Sequence, residues 1–157
     1  MKMCRGFTLL ELMVTIAVLA ILATVAVPNF RDLIQNNRVT TQSNELVTAL
    51  SFARTEAVKR GLPVEVTVSQ DAPGWRAEVV LDPGGAEEET LRVFDRAGSL
   101  VTLDALATTI VFTATGAPTA DATFILEPGP SCTGDKRRRV VVGNTGQITT
   151  TRQACGG

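Results

Sequence analysis

The sequence has no histidine and no tyrosine, and aromatic residues make up 4% of its 157 positions. Without histidine there is no histidine-based catalytic triad, no ordinary acid/base group for neutral pH, and little chance of a zinc site. With so few aromatic rings, a platform for stacking nucleic-acid bases is not expected. The three cysteines, Cys4, Cys132 and Cys155, are too far apart for a metal-ligand pattern. Large excess charge is lacking too, since 15 basic side chains face 16 acidic ones. Bulk charge therefore predicts no partner. No catalytic constellation, cofactor motif, metal motif or internal repeat emerges, and the expectation is a protein that is not an enzyme.

The long apolar run at the N-terminus is the most informative feature. Phe7 to Val27 reads FTLLELMVTIAVLAILATVAV, 21 residues with one charge, Glu11. As a helix it reaches roughly 30 Å, the thickness of a bilayer core. Lys2 and Arg5 precede it, which by the positive-inside rule leaves the N-terminus in the cytoplasm and carries the chain after residue 28 across the membrane. A cleaved secretory signal competes with this reading. Its apolar stretch is about 7–15 residues long and ends at a small-residue site, and Thr24-Val25-Ala26 imitates such a site poorly. An ordinary single-pass anchor explains the length but not Glu11. An acidic residue near the centre of a membrane helix costs about 2.5–3.5 kcal/mol, and less near the interface. A carboxylate placed there is a functional residue in search of a partner, and no basic residue follows within the span.

Residues Arg5-Gly6-Phe7-Thr8-Leu9-Leu10-Glu11-Leu12 resemble the class III signal of type IV prepilins and type II secretion pseudopilins. The resemblance implies cleavage between Gly6 and Phe7 by a membrane peptidase and N-methylation of Phe7. It also implies an assembly role for Glu11, which would face the N-terminal amine of a neighbouring subunit. In weakly screening lipid that attraction sets insertion and register. Removing a leader of residues 1–6 takes the basic count from 15 to 13 against 16 acids, a balance of −3. Pro28 closes the apolar run. Proline lacks a backbone donor and either starts or kinks a helix, so a bend or a local melting is expected there.

From Asn29 to Arg60 the helical period continues through Phe30, Leu33, Ile34, Leu46, Leu50, Ala53 and Ala57. Val47 and Phe52 broaden the apolar face or meet neighbours. Gly61-Leu62-Pro63 is the stop. The period then changes to two. Val64, Val66 and Val68 form one candidate strand, and Ala77, Val79 and Leu81 another. Further candidates are 91–95, 109–113, 123–127, 138–142 and 147–151, separated by Gly, Pro and Asn turns. Trp75 reads as a packing residue, and Glu87-Glu88-Glu89 as a solvated hairpin tip rather than a calcium loop. The fold class is α+β, a long transmembrane and amphipathic helix on an antiparallel sheet of roughly seven strands. The expected organisation is a leader over 1–6, an assembly helix over 7–28 and a periplasmic head over 29–157, with its helix over 29–60 and its strands over 63–157.

Cys4 leaves with the leader, so Cys132 and Cys155 remain as a pair in an oxidising compartment. They bracket the last two candidate strands. A bridge there closes a hairpin over 22 intervening residues and adds ~3 kcal/mol of stability by the loop-entropy argument. A helix, a β-rich head and a closing Cys-hairpin-Cys, with Leu50-Ser51-Phe52-Ala53-Arg54-Thr55-Glu56-Ala57-Val58 at the helix end, are similar to the GspH/FimT group, particularly its FimT/FimU-type minor pilins. That resemblance implies a bacterial inner-membrane protein that joins a pilus with other pilins after processing by prepilin peptidase. GspH-type pseudopilins of type II secretion are the alternative.

Lys136, Arg137, Arg138 and Arg139, with Arg152 across the hairpin, are the concentrated cations. Some FimT-type proteins bind DNA through a Gly-Arg-x-Arg stretch in this hairpin. The matching place here is Gly146-Gln147-Ile148-Thr149, without either arginine. Period-two alternation puts Arg137 and Arg139 on one face and Arg138 on the other. Two readings stay open, a solvated edge guarded by charge and a salt-sensitive DNA contact.

Overall fold

The computed structural model describes residues 8–70, 74–96, 101–104, 108–129 and 132–156. The chain divides into two compact units, Met1–Gln35 and Asn36–Gly157. One helix, α1 (Leu9–Arg60), contributes to both.

In the first unit, Leu9 to Phe30 is exposed residue after residue. The segment is apolar on every side, with a mean hydropathy of 2.5 over its best window, and is long enough to cross a membrane. Its few polar side chains turn onto the helix itself. Thr15 Oγ1 donates to Leu12 O at 2.8 Å, Thr24 Oγ1 to Ile21 O at 2.6 Å, and Asn29 Nδ2 to Val25 O at 3.1 Å. The helix is continuous through Pro28, although that proline has no N–H to give the Thr24 carbonyl. Helical structure is thus kept where a local melting was one expectation.

The second unit holds the core. Among the described residues eight strands follow the helix: β1 (Val64–Gln70), β2 (Trp75–Leu81), β3 (Glu89–Asp95), β4 (Thr102–Asp104), β5 (Thr108–Phe112), β6 (Ala122–Glu127), β7 (Arg137–Val142) and β8 (Ile148–Gln153). They form two antiparallel four-stranded sheets, β3-β2-β1-β5 and β4-β6-β7-β8. Seven of these strands lie where the alternation placed them, give or take two residues or so. β4 was not expected, and neither was the division into two sheets. Strand alternation decides which side chains face inward. Val64, Val66 and Val68 of β1, Trp75, Ala77, Val79 and Leu81 of β2, and Phe124 and Leu126 of β6 are all buried.

The matching stripe on the helix runs through Val39, Leu46, Ala49, Leu50, Ala53 and Ala57, at the three- and four-residue spacing of one helical face. Phe30 and Leu33 are exposed instead. The buried residues of the helix begin at Val39, so the periodicity was right and its starting point was not. Val47 and Phe52 are partly buried against the core. Trp75, in the middle of this layer, donates its indole N–H to Gln42 Oε1 at 3.0 Å, which satisfies the one polar atom of a buried ring. The solvent side of the helix carries Asn37, Thr41, Asn44, Thr48, Ser51 and Thr55, all exposed and all uncharged.

Candidate functional site

The expected site residues fall into two groups, one at each end of the chain. Gly6 and Phe7, the expected cleavage and methylation positions, lie outside the described residues. Their neighbour Thr8 starts the helix. Glu11 Oε2 accepts from the Thr8 backbone N–H and from its hydroxyl, both at 3.1 Å, and Thr8 Oγ1 accepts from the Glu11 N–H at 3.2 Å. This is a reciprocal capping box, in which each side chain satisfies a backbone donor that the first turn of a helix leaves free. The negative carboxylate also sits at the positive end of the helix dipole. Glu11 therefore has a partner within its own chain before any neighbour arrives. The signal was present in the sequence as Thr-x-x-Glu ahead of an apolar run, and the reading from charge alone passed over it.

At the other end, β7 and β8 pair from Arg137↔Gln153 to Val142↔Ile148. Cys132 and Cys155 are disulfide-bonded with their Cα atoms 5.6 Å apart, and the Cys155 N–H donates to Gly134 O at 2.9 Å. The expected staple is present.

The five cations of this hairpin do not share one surface. Arg138 is only 3% exposed and lies on the inward face with Val140 and Val142. Its guanidinium donates to Asn36 Oδ1 at 2.5 Å, Thr40 Oγ1 at 3.0 Å, Arg137 O at 3.0 Å and Asp135 O at 3.2 Å. It pairs with no carboxylate among the described residues, and burial, followed by repulsion from Arg152, lowers its pKa. Arg138 therefore pins the hairpin to the helix. Arg137 Nε donates to Glu127 Oε2 at 2.6 Å, both half-buried. Lys136 is buried and donates to Thr133 Oγ1 at 3.2 Å. Arg139 and Arg152 are exposed. The basic run is thus not a wholly solvated edge, because two of its four members are buried.

Between these features lies the helix end that carries the Ala-Arg-Thr-Glu-Ala stretch. Arg54 Nη2 donates to Thr145 O at 3.3 Å. Two turns of the same design meet at its side chain. Gly116 N donates to Thr113 O and Thr113 N to Ala117 O, while Gly146 N donates to Gly143 O and Gly143 N to Gln147 O. Gly146 has φ +76°, and a Cβ there would sit 2.2 Å from Gly116 O and 2.9 Å from Arg54 Nε. Glycine is required on both counts. Arg54 also lines an open groove of about 600 Å³ with Val47, Ser51, Thr55, Thr145, Gln147 and Ile148. Two residues on, Glu56 is 8% exposed and accepts from Arg60 Nε at 2.8 Å and Lys59 Nζ at 3.4 Å. The Arg60 hydrogen bond, only partly offset by burial, holds its carboxyl below the usual carboxylate range. Neither of these helix-end roles was legible beforehand.

Residues 1–27 match the family described as "Prokaryotic N-terminal methylation motif". Two relatives are pilus proteins. A "Fimbrial protein" of Pseudomonas aeruginosa is 34% identical over 95 residues, covering 56% of this chain and 59% of that protein. A "Type IV major alpha-pilin" of Moraxella bovis is 38% identical over 73 residues, covering 45% and 46% respectively. The chain thus spans less than two thirds of the length of the curated relatives it matches. Two crystal forms of the type IV minor pilin FimU from Pseudomonas aeruginosa superpose with TM-scores of 0.60 and 0.59 at 22% identity, covering 76% and 75% of this chain and 96% and 100% of FimU. That identity establishes a shared fold. Residues 42–146, two thirds of the chain, match the family described as "Type II transport protein GspH", and the chain belongs to this pilin-like family of structural rather than catalytic proteins.

Proposed function

We propose that the chain is a minor pilin of a type IV pilus. It is made with a leader of residues 1–6, cut by prepilin peptidase after Gly6 and N-methylated at Phe7. It waits in the bacterial inner membrane with its head in the periplasm, then joins other pilins in a filament. The observation that carries this reading is the pairing of a methylation motif over residues 1–27 with a head of the FimU fold. The unbroken apolar helix from Leu9 supports it, since a helix with no side to bury in its own head needs lipid or neighbouring helices.

In this reading Glu11 changes partner. In the lone subunit the carboxylate serves Thr8. In the filament it faces the amine of an adjacent Phe7, an interaction that low-dielectric surroundings strengthen. Pro28 provides a bend where the missing hydrogen bond makes the helix easiest to deform. The test is Glu11→Ala in a pilus-forming cell. The variant is expected to be inserted and cut as the parent is, but to be depleted from sheared filaments. Normal incorporation would overturn the charge-pair role.

A GspH-type pseudopilin of type II secretion is the second reading, favoured by the description of the matching family. Deletion separates the two. Loss of surface pili with intact protein secretion supports the minor pilin, and the reverse supports the pseudopilin.

A further inference from the structure

Two strands of the head stand apart from the rest. β3 and β8 each end a four-stranded sheet. All residues of β3 are exposed except Leu91 and Phe94, and all residues of β8 are exposed except Ile148, which like the other two is only partly covered. The other terminal strands are different, since β5 buries Ile110 and Phe112, and β4 buries Leu103.

A free strand edge is a template for another strand, and proteins normally blunt it with proline, lysine, a bulge or a short length. The β3 side has such devices. Its pairing with β2 slips at Val79/Val80, the loop that leads into it carries Asp82, Glu87 and Glu88, and Glu89 is its first residue. β8 has neither the slip nor the acids, and its one charge is Arg152. It runs six residues, Ile148-Thr149-Thr150-Thr151-Arg152-Gln153, with no proline, glycine or lysine and in unbroken register with β7. Threonine suits an extended strand, so the edge is built to pair.

Charge distinguishes the two edges further. Near the end of β8, Arg152 and, on the other face of the sheet, Arg139 are exposed and have no carboxylate partner among the described residues. Arg138, directly opposite Arg152, adds a like charge. At the start of β3, Glu87 has no partner for its carboxylate among the described residues. Glu88 accepts only from a backbone N–H, and Glu89 lies 3.5 Å from Arg60. The two strands match in length, at seven and six residues.

We infer that β8 is a docking edge for β3 of a second copy of this chain, added antiparallel. Antiparallel addition carries the Glu87–Glu89 end of one head to the Arg152 end of the other, next to Arg139. Parallel addition would leave the acids beside Ile148. The contact uses a different edge on each partner, so a bound pair still offers a free β3 on one copy and a free β8 on the other. Such heterologous contacts propagate instead of closing. Main-chain hydrogen bonds supply the attraction and the flanking charges choose the direction. The inference rests on the reading of the chain as a filament subunit and names one surface by which heads meet.

The test uses the full chain placed singly in lipid nanodiscs, which hold the apolar helices apart. Disc–disc association is followed by analytical ultracentrifugation across concentration and salt. Wild-type discs are expected to associate, and to do so about tenfold more weakly at high salt. Arg139→Glu/Arg152→Glu discs alone, and Glu87→Lys/Glu88→Lys discs alone, are each expected to stay single. Mixing the two variants restores association, because each then offers the edge that the other requires. Wild-type discs that stay single, or variants that associate as the wild type does, would overturn the inference. Duplex DNA that shifts the wild-type discs but not the arginine variant, and that blocks their association, would assign the edge to nucleic acid instead. Trp75 fluorescence confirms that each variant is folded. The Glu11→Ala filament assay reports on the pilus reading alone, so failure of one leaves the other standing.

Discussion

Two stretches of a single helix, Leu9–Val27 and Val39–Ala57, are built from much the same leucine, valine and alanine, yet they meet opposite surroundings. In the second stretch Val39, Leu46, Ala49, Leu50, Ala53 and Ala57 fall on one face and are buried, with Val47 and Phe52 partly covered, while Thr41, Asn44, Thr48, Ser51 and Thr55 fall on the other. In the first stretch they fall on all faces and are exposed. The difference shows how pattern divides labour. An apolar stripe commits a helix to its own head, whereas an apolar cylinder commits it to surroundings that the chain does not supply. Stability of the head and assembly through the anchor are therefore separable properties.

Substitutions can break that separation or sharpen it. Trp75→Ala removes the largest buried side chain and should destabilise the head by about 3–5 kcal/mol, with membrane insertion unchanged. Urea unfolding followed by circular dichroism checks the first part and membrane fractionation the second. Cys155→Ser opens the loop that ends the chain and should cost ~3 kcal/mol; an unchanged melting curve under oxidising conditions would rule out a stabilising staple. Glu56 contributes through pH. Its carboxyl titrates below its ordinary value of 4.5 in the folded head, so the folded state binds fewer protons than the unfolded one. The stability from this group is present above that value and is lost as pH falls through the folded pKa. Glu56→Gln should flatten the acid limb of a stability–pH curve in that window. The smallest effect belongs to the other stretch, where Leu19→Ala should move head unfolding by less than about 0.5 kcal/mol, although Leu19 is as apolar as Leu50.

Much of the head was legible because its signals are local. Val64, Val66 and Val68 alternate with Glu65 and Thr67 directly after Pro63, and nothing but a strand suits that pattern. The two-sheet division was not legible, because β5 pairs with β1 some forty residues earlier in the chain and no local signal carries that register. β4, three residues long, gives too few positions for alternation to show. Arg138 marks a different kind of miss. A run of four cations reads as solvated, but its two-residue spacing to Val140 and Val142 already placed it on the buried face. The Thr8–Glu11 box was equally open to view. There the unusual cost of a carboxylate in an apolar run drew attention to a distant partner and away from the hydroxyl three residues before it.

The covalent link between Cys132 and Cys155 bears on how the head wears. β8 is the last strand among the described residues, and an unanchored strand at a sheet edge is where peeling and proteolysis begin. With the bridge closed at the open end of the hairpin, a protease that nicks the turn at Asn144 releases no fragment, and the strand has no loose tip from which to unzip. In the filament proposed above, beyond the reach of resynthesis, a subunit fastened in this way would hold that strand even after such a cut.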